Sequence, residues 1–75
     1  MIITQRKRLE ALEEGMRTLG VRIVVTREAD GTATVFVEDF CGWWEHHNHS
    51  DWEEAMAVWE AKLAGSVRRK ERTAA

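Results

Sequence analysis

Apolar residues recur along this chain with two different periods, and the change of period divides it into elements. Leu9, Leu12, Met16 and Leu19 follow one another at 3–4–3 spacing. At roughly 100° per residue this gathers them within an arc of about 80° on one face of a helix. The pattern predicts a first helix from about Gln5 to Leu19, with Thr4 as its N-cap and Gly20 as its stop. Gly15 lies beside the apolar arc and weakens the helix by about 1 kcal/mol relative to Ala, so another backbone is expected to come close there.

From Val21 the period becomes two. Val21 to Glu28 and Thr32 to Phe40 read as the strands of a hairpin around Asp30-Gly31, a pair suited to a type I′ turn with positive φ at both positions. Such a turn sets Val25 against Phe36, Ile23 against Glu38 and Val21 against Phe40, with Arg22 against Asp39 on the other side. The core face is then Val21, Ile23, Val25, Phe36 and Phe40. The reverse face keeps Val24, Val35 and Val37 among polar neighbours. A solvated sheet face alternates more cleanly, so a cover over it is expected.

The second helix has the clearest start signal. Ser50-Asp51-Trp52-Glu53 fits a capping box, with Ser50 as cap and Glu53 reaching back. Trp52, Met56, Trp59 and Leu63 form a stripe within about 60°. Gly65 is the expected stop, and 66–75 the expected flexible basic tail. The predicted fold is therefore α+β: one small domain over 1–65 of α-β-β-α order, an antiparallel hairpin packed by two amphipathic helices. Strands lie about 4.8 Å apart, whereas two helices side by side cover about 20 Å. One hairpin is too narrow for both. Either residues 42–47 add a third strand, or two protomers join their hairpins, and a homodimer is the expectation.

Composition narrows the class. Seventy-five residues make one domain, which buries only about 60% of its unfolded surface. Four Trp and two Phe supply bulk, and the absence of Pro leaves loop geometry to Gly, Asn and Asp. A lone Cys41 makes no internal disulfide and fits a reducing compartment. No apolar run approaches the roughly 18 residues of a membrane span, and Met1-Ile2-Ile3-Thr4 lacks the apolar core of a signal peptide. A cytoplasmic protein without a membrane partner is expected.

The formal charge of −2 conceals segregation. Residues 41–65 hold Glu45, Asp51, Glu53, Glu54 and Glu60 against Lys62 alone, while 66–75 hold Arg68, Arg69, Lys70 and Arg72 against Glu71. Aromatics set among acids repel phosphate, so nucleic acid is an unfavourable partner. Arg6, Lys7 and Arg8 occupy the first turn of the first helix, the wrong end of its macrodipole. They read as a solvated basic turn eased by Arg6–Glu10; the sharper alternative is an anion or acidic-partner site.

The chemistry concentrates in Cys41-Gly42-Trp43-Trp44-Glu45-His46-His47-Asn48-His49-Ser50. Cys41, His46, His47 and His49 are all possible zinc ligands, and His47 and His49 share a side if the segment is extended. Structural zinc sites draw on two separated ligand pairs, and here every candidate lies in one segment. No metal or other cofactor is expected. The run His47-Asn48-His49 is not the dispersed arrangement of HNH nucleases. A Cys–His nucleophile has no further support, and so short a chain leaves little room for a pocket of about 300 Å³. No enzyme is predicted. Trp43 and Trp44, being adjacent, face opposite sides of an extended backbone, so one enters the core and the other is exposed. Exposed Trp is the residue most enriched at binding hot spots.

Glu28-Ala29-Asp30-Gly31, Val35 through Gly42, and Ser50 through Met56 together resemble HicB-type antitoxins. The likeness spans about residues 22–63: a hairpin with an acidic-Gly turn, a strand leading to a Gly-containing turn, and a capped helix. It implies a dimer that blocks a small RNA-cleaving toxin. The long first helix departs from that pattern, as does the want of a strand after the second helix.

The residues favour a non-catalytic regulator or inhibitor that binds another protein, of the kind phages and mobile elements encode. The partner-binding candidates are Trp43, Trp44, His46, His47 and His49, with Glu53 and Glu60 on the acidic helix. A HicB-like dimer, a zinc-stabilised module and an anion or nucleic-acid binder are the competing classes.

Overall fold

The computed structural model describes the backbone of residues 3–74 and the side chains of residues 3–67. Helix α1 (Ile3–Thr18) leads into strands β1 (Val21–Arg27), β2 (Ala33–Asp39) and β3 (Trp44–His49), and helix α2 (Trp52–Ala74) closes the order α-β-β-β-α. The strands form one antiparallel sheet in the order β1-β2-β3. The fold is α+β as expected, but with three strands in place of the two of the α-β-β-α order: residues 44–49 supply the third strand that was the alternative to joining two protomers' hairpins. Both helices lie on one face of the sheet; the other face is open.

Val24 pairs with Phe36, Ile23 with Val37 and Val21 with Asp39, one residue away from the type I′ expectation. The turn is the cause. Gly31 N–H donates to Glu28 O at 3.1 Å, Glu28 N–H donates to Thr32 O at 2.8 Å, and only Gly31 takes positive φ, +91°. This is a type I turn closed by a glycine bulge, which holds three loop residues rather than two. Asp30 Oδ1 braces it, accepting from Thr32 N–H at 3.0 Å and Thr32 Oγ1 at 2.6 Å.

A slip of one residue turns every side chain of a strand over. Ala33, Val35 and Val37 are therefore buried, while Phe36 moves to the open face and Phe40 is 88% exposed. The same turn recurs at Asp39–Gly42, where Gly42 N–H donates to Asp39 O, Asp39 N–H donates to Trp43 O, and Gly42 takes φ +93°. Asp39 Oδ1 accepts from Cys41 and Trp43 N–H. Phe40 and Cys41 thus occupy a turn tip.

The helices meet expectation along their stripes. Leu12 and Met16 of α1, and Trp52, Met56 and Trp59 of α2, bury with Ala55 against Ile23, Ala33, Val35 and Val37; Leu9, Val21, Val25, Val58 and Leu63 pack around them. A Cβ on Gly15 would stand 2.5 Å from Leu63 Cδ2. The close approach expected at Gly15 is real, and a side chain makes it. Gly20 stops α1 in the left-handed region, φ +79°.

Three helix boundaries differ. α1 begins at Ile3, which places Thr4 inside the helix. α2 is capped by Asp51, whose Oδ1 accepts Glu54 N–H at 2.7 Å, while Glu54 returns to Ser50 N–H and Oγ at 2.7 and 2.8 Å. The capping box is shifted by one residue. α2 also passes through Gly65 and runs on to Ala74, where a tail was expected from Ser66. Its sequence there, Arg68-Arg69-Lys70-Glu71-Arg72, is rich in strong helix formers, and only a positive-φ demand would have made Gly65 a stop.

Candidate functional site

The tryptophan–histidine segment is an edge strand, and strand alternation separates its side chains into two sets. Glu45, His47 and His49 point toward the helices; Trp44, His46 and Asn48 point to the open face. On the helix side Trp59 organises the group. Its indole N–H donates to His49 Nε2 at 3.1 Å, so that nitrogen carries no proton and a neutral His49 holds its proton on Nδ1. Nδ1 stands 4.0 Å from Glu54 Oε2. The His47 ring meets Trp59 edge-on at 5.2 Å, and its Nε2 is buried without a hydrogen bond, 3.4 Å from Glu45 Oε1. The Lys62 ammonium lies 5.2 Å from the centre of the Trp59 ring.

His47 and His49 share a side as expected, their ring centres 6.5 Å apart. The other zinc candidates do not join them: His46 lies across the sheet, and Cys41 is exposed at the turn tip. Among the described residues, no three His, Cys, Asp or Glu side chains gather as a metal would require.

The acidic candidates on α2 already have a cation. Arg8 donates through Nε and Nη2 to Glu60 at 2.9 and 2.7 Å, and through Nη1 to both Glu53 oxygens at 2.7 and 2.9 Å. Its guanidinium also lies 5.5 Å from the Trp52 ring centre, and that of Arg27 lies 4.9 Å away. The bonds to Glu60 and then Glu53 raise the Arg8 pKa still further, and Arg8 in turn holds the Glu60 carboxyl below its ordinary value. The basic first turn of α1 thus supplies a clamp between the helices through Arg8. Ser50 lowers the Glu54 carboxyl likewise, through its backbone and side-chain bonds.

The open face is a grid set by the register. Val24, Phe36 and His46 form its middle row, and Arg22, Glu38 and Trp44 the row beside it. Phe36 and Trp44 stack with centroids 6.0 Å apart, and Arg22 donates to Glu38 at 2.7 Å. Trp44 is 61% exposed and Trp43 48%, so the adjacent tryptophans do face opposite sides but neither enters the buried core. Trp43 lines an open groove of about 570 Å³ with Leu19, Val21, Trp59 and Lys62. A second groove of the same volume runs beneath Phe40, between Glu13, Arg17, Arg22 and Glu38. Both are open to solvent rather than enclosed.

Phe36 and Phe40 are surface aromatics that alternation assigns to the core, whereas Val24 lies on the reverse face as expected. The signal lay in the two glycines. Ala29-Asp30-Gly31 and Phe40-Cys41-Gly42 each place Gly third in a three-residue loop, which dictates the bulged turn and hence the flip of β2. The chain matches no family model, no curated protein and no solved structure. Among the described residues no helix is long and apolar enough to cross a membrane.

Proposed function

We propose that the protein is a non-catalytic regulator or inhibitor that binds another protein through the aromatic face of its sheet. The observation that carries this reading is the exposed Trp44 stacked on the half-buried Phe36 beside Val24, with Phe40 exposed at the neighbouring turn tip and Trp43 exposed on the opposite side. A small domain with a thin core gains nothing for its own stability by leaving three large aromatics in water, and exposed Trp dominates interface energetics. The ionisable side chains that sequence offered as reactive are engaged in structural contacts: His49 with Trp59, and Glu53 and Glu60 with Arg8. Phosphate is a poor match, because Asp51, Glu53 and Glu54 surround the start of α2. Of the sequence candidates, Trp44 and His46 lie on the proposed contact face, Trp43 is exposed on the opposite side, and His47, His49, Glu53 and Glu60 support the scaffold.

The test is affinity capture with the native chain and with Trp44→Ala, followed by calorimetry on the captured protein once purified. A hot-spot tryptophan contributes about 2 kcal/mol or more, roughly a 30-fold loss of affinity. Equal affinity for the two chains, with both folded by circular dichroism, rejects the surface. In the alternative reading, a HicB-like antitoxin, the partner is a small ribonuclease toxin. Co-expression with the neighbouring gene product tests that narrower form: rescue of growth by the native chain, lost in Trp44→Ala, supports it.

A further inference from the structure

The free edge of β3 carries an inference that does not depend on the proposed partner surface. In an antiparallel ladder the residues of one strand direct their backbone groups alternately to the two sides. The β2–β3 ladder starts with Asp39 N–H donating to Trp43 O, and its register then gives Glu45, His47 and His49 to β2. Trp44, His46 and Asn48 direct their N–H and C=O groups outward. The opposite edge is differently placed, because the backbone of α1 lies over β1, whereas α2 runs across all three strands. Among the described residues, β3 has β2 as its single strand neighbour. It also lacks the Pro, Lys or bulge with which exposed edges are blunted.

We propose that a second copy of this chain occupies that edge, pairing β3 with β3 antiparallel about a two-fold axis at His46. The strand is self-complementary in that register. His46 faces its own copy, Trp44 faces Asn48, and Glu45 faces His47, with every outward pair exchanging both backbone hydrogen bonds. Each Glu45–His47 contact falls on a non-hydrogen-bonded pair, where side chains come closest. It places each copy's carboxylate beside the other copy's imidazole, alongside the Glu45–His47 approach of 3.4 Å within one chain. Sliding the copies one pair in one direction sets Glu45 against Glu45, which repels. Sliding them the other way sets Trp44 against Ser50, beyond the strand. The product is a six-stranded sheet whose Val24–Phe36–His46 row continues into the second copy.

Light scattering and amide hydrogen exchange on the full chain at micromolar concentration test this. The expected mass is twice 8.7 kDa, and the amides of Trp44, His46 and Asn48 are expected to be as protected as those of Glu45, His47 and His49. His46→Pro removes an outward donor that an isolated chain does not use, so it should fold normally and run at 8.7 kDa. If that variant fails to fold, exchange on the native chain still decides. A native mass of 8.7 kDa, unprotected amides at Trp44, His46 and Asn48, or a folded His46→Pro that stays dimeric would each overturn the proposal.

Discussion

Trp52 and Trp59 are nearly equal in burial, 4% and 6% exposed, yet replacing each by Phe should have different consequences. Phe keeps the aromatic contact and removes the indole N–H. The lost area is on the order of 50 Å², or about 1.3 kcal/mol at 25 cal/mol per Å², at either position. At Trp52 the N–H is buried without a partner, so deleting it returns about 1–3 kcal/mol of desolvation penalty. The weaker attraction of Phe for Arg8 and Arg27 takes back part of that, roughly 0.5 kcal/mol. The sum lies within about 1 kcal/mol of the native protein. At Trp59 the N–H is bonded to His49 Nε2, so the change loses about 0.5–1.5 kcal/mol of hydrogen bond and leaves a half-buried acceptor unsatisfied. There the total is about 2–4 kcal/mol. Urea titrations followed by far-ultraviolet circular dichroism measure both, with unchanged m-values required for the comparison. Equal losses at the two positions would refute the argument, since they would show that the Trp52 N–H has a partner after all.

Asp51→Ala should cost about 1 kcal/mol, as loss of an N-cap does, and Ser50→Ala clearly less; the reverse order in urea titrations would restore the sequence-based assignment of the cap. Because Arg8 depresses the Glu60 carboxyl, that group adds stability above its ordinary value of 4.5 and the contribution fades as pH falls through the lower folded value. Urea midpoints measured across that acid range should therefore fall less steeply in Arg8→Met than in the native chain. A chelator should leave the melting temperature unchanged, and a drop of several degrees accompanied by stoichiometric zinc in elemental analysis would return Cys41 and the histidines to consideration as ligands.

Legibility in the sequence followed the range of the interaction. The two helix stripes could be read because a helix face depends on residues within a few turns, and Leu12, Met16, Trp52, Met56 and Trp59 are buried as their spacing required. β3 was legible only as an alternative. Trp-Glu-His-His-Asn-His has neither β-branched residues nor apolar alternation, and it is a strand because β2 offers it an edge. The core face of β2 turns on a single loop residue, since Val35 and Val37 exchange with Phe36 and Phe40 when the turn gains its bulge. Arg8, Glu53 and Glu60 lie some 45–52 positions apart along the chain. No periodicity connects them, and only the packing of α1 against α2 brings them together.

The meander of three strands has a kinetic consequence. Every strand pairs with its immediate successor across a three-residue loop, so the whole sheet can assemble from local closures. Hairpins of this kind form in roughly microseconds, and low contact order favours rapid folding. The contacts between α1 and α2 are different, because they join the two ends of the chain and carry the largest loop-closure entropy. They are the natural last event. The Arg8 clamp then acts as a latch on a nearly finished domain: its loss accelerates opening and leaves the rate of collapse almost unchanged.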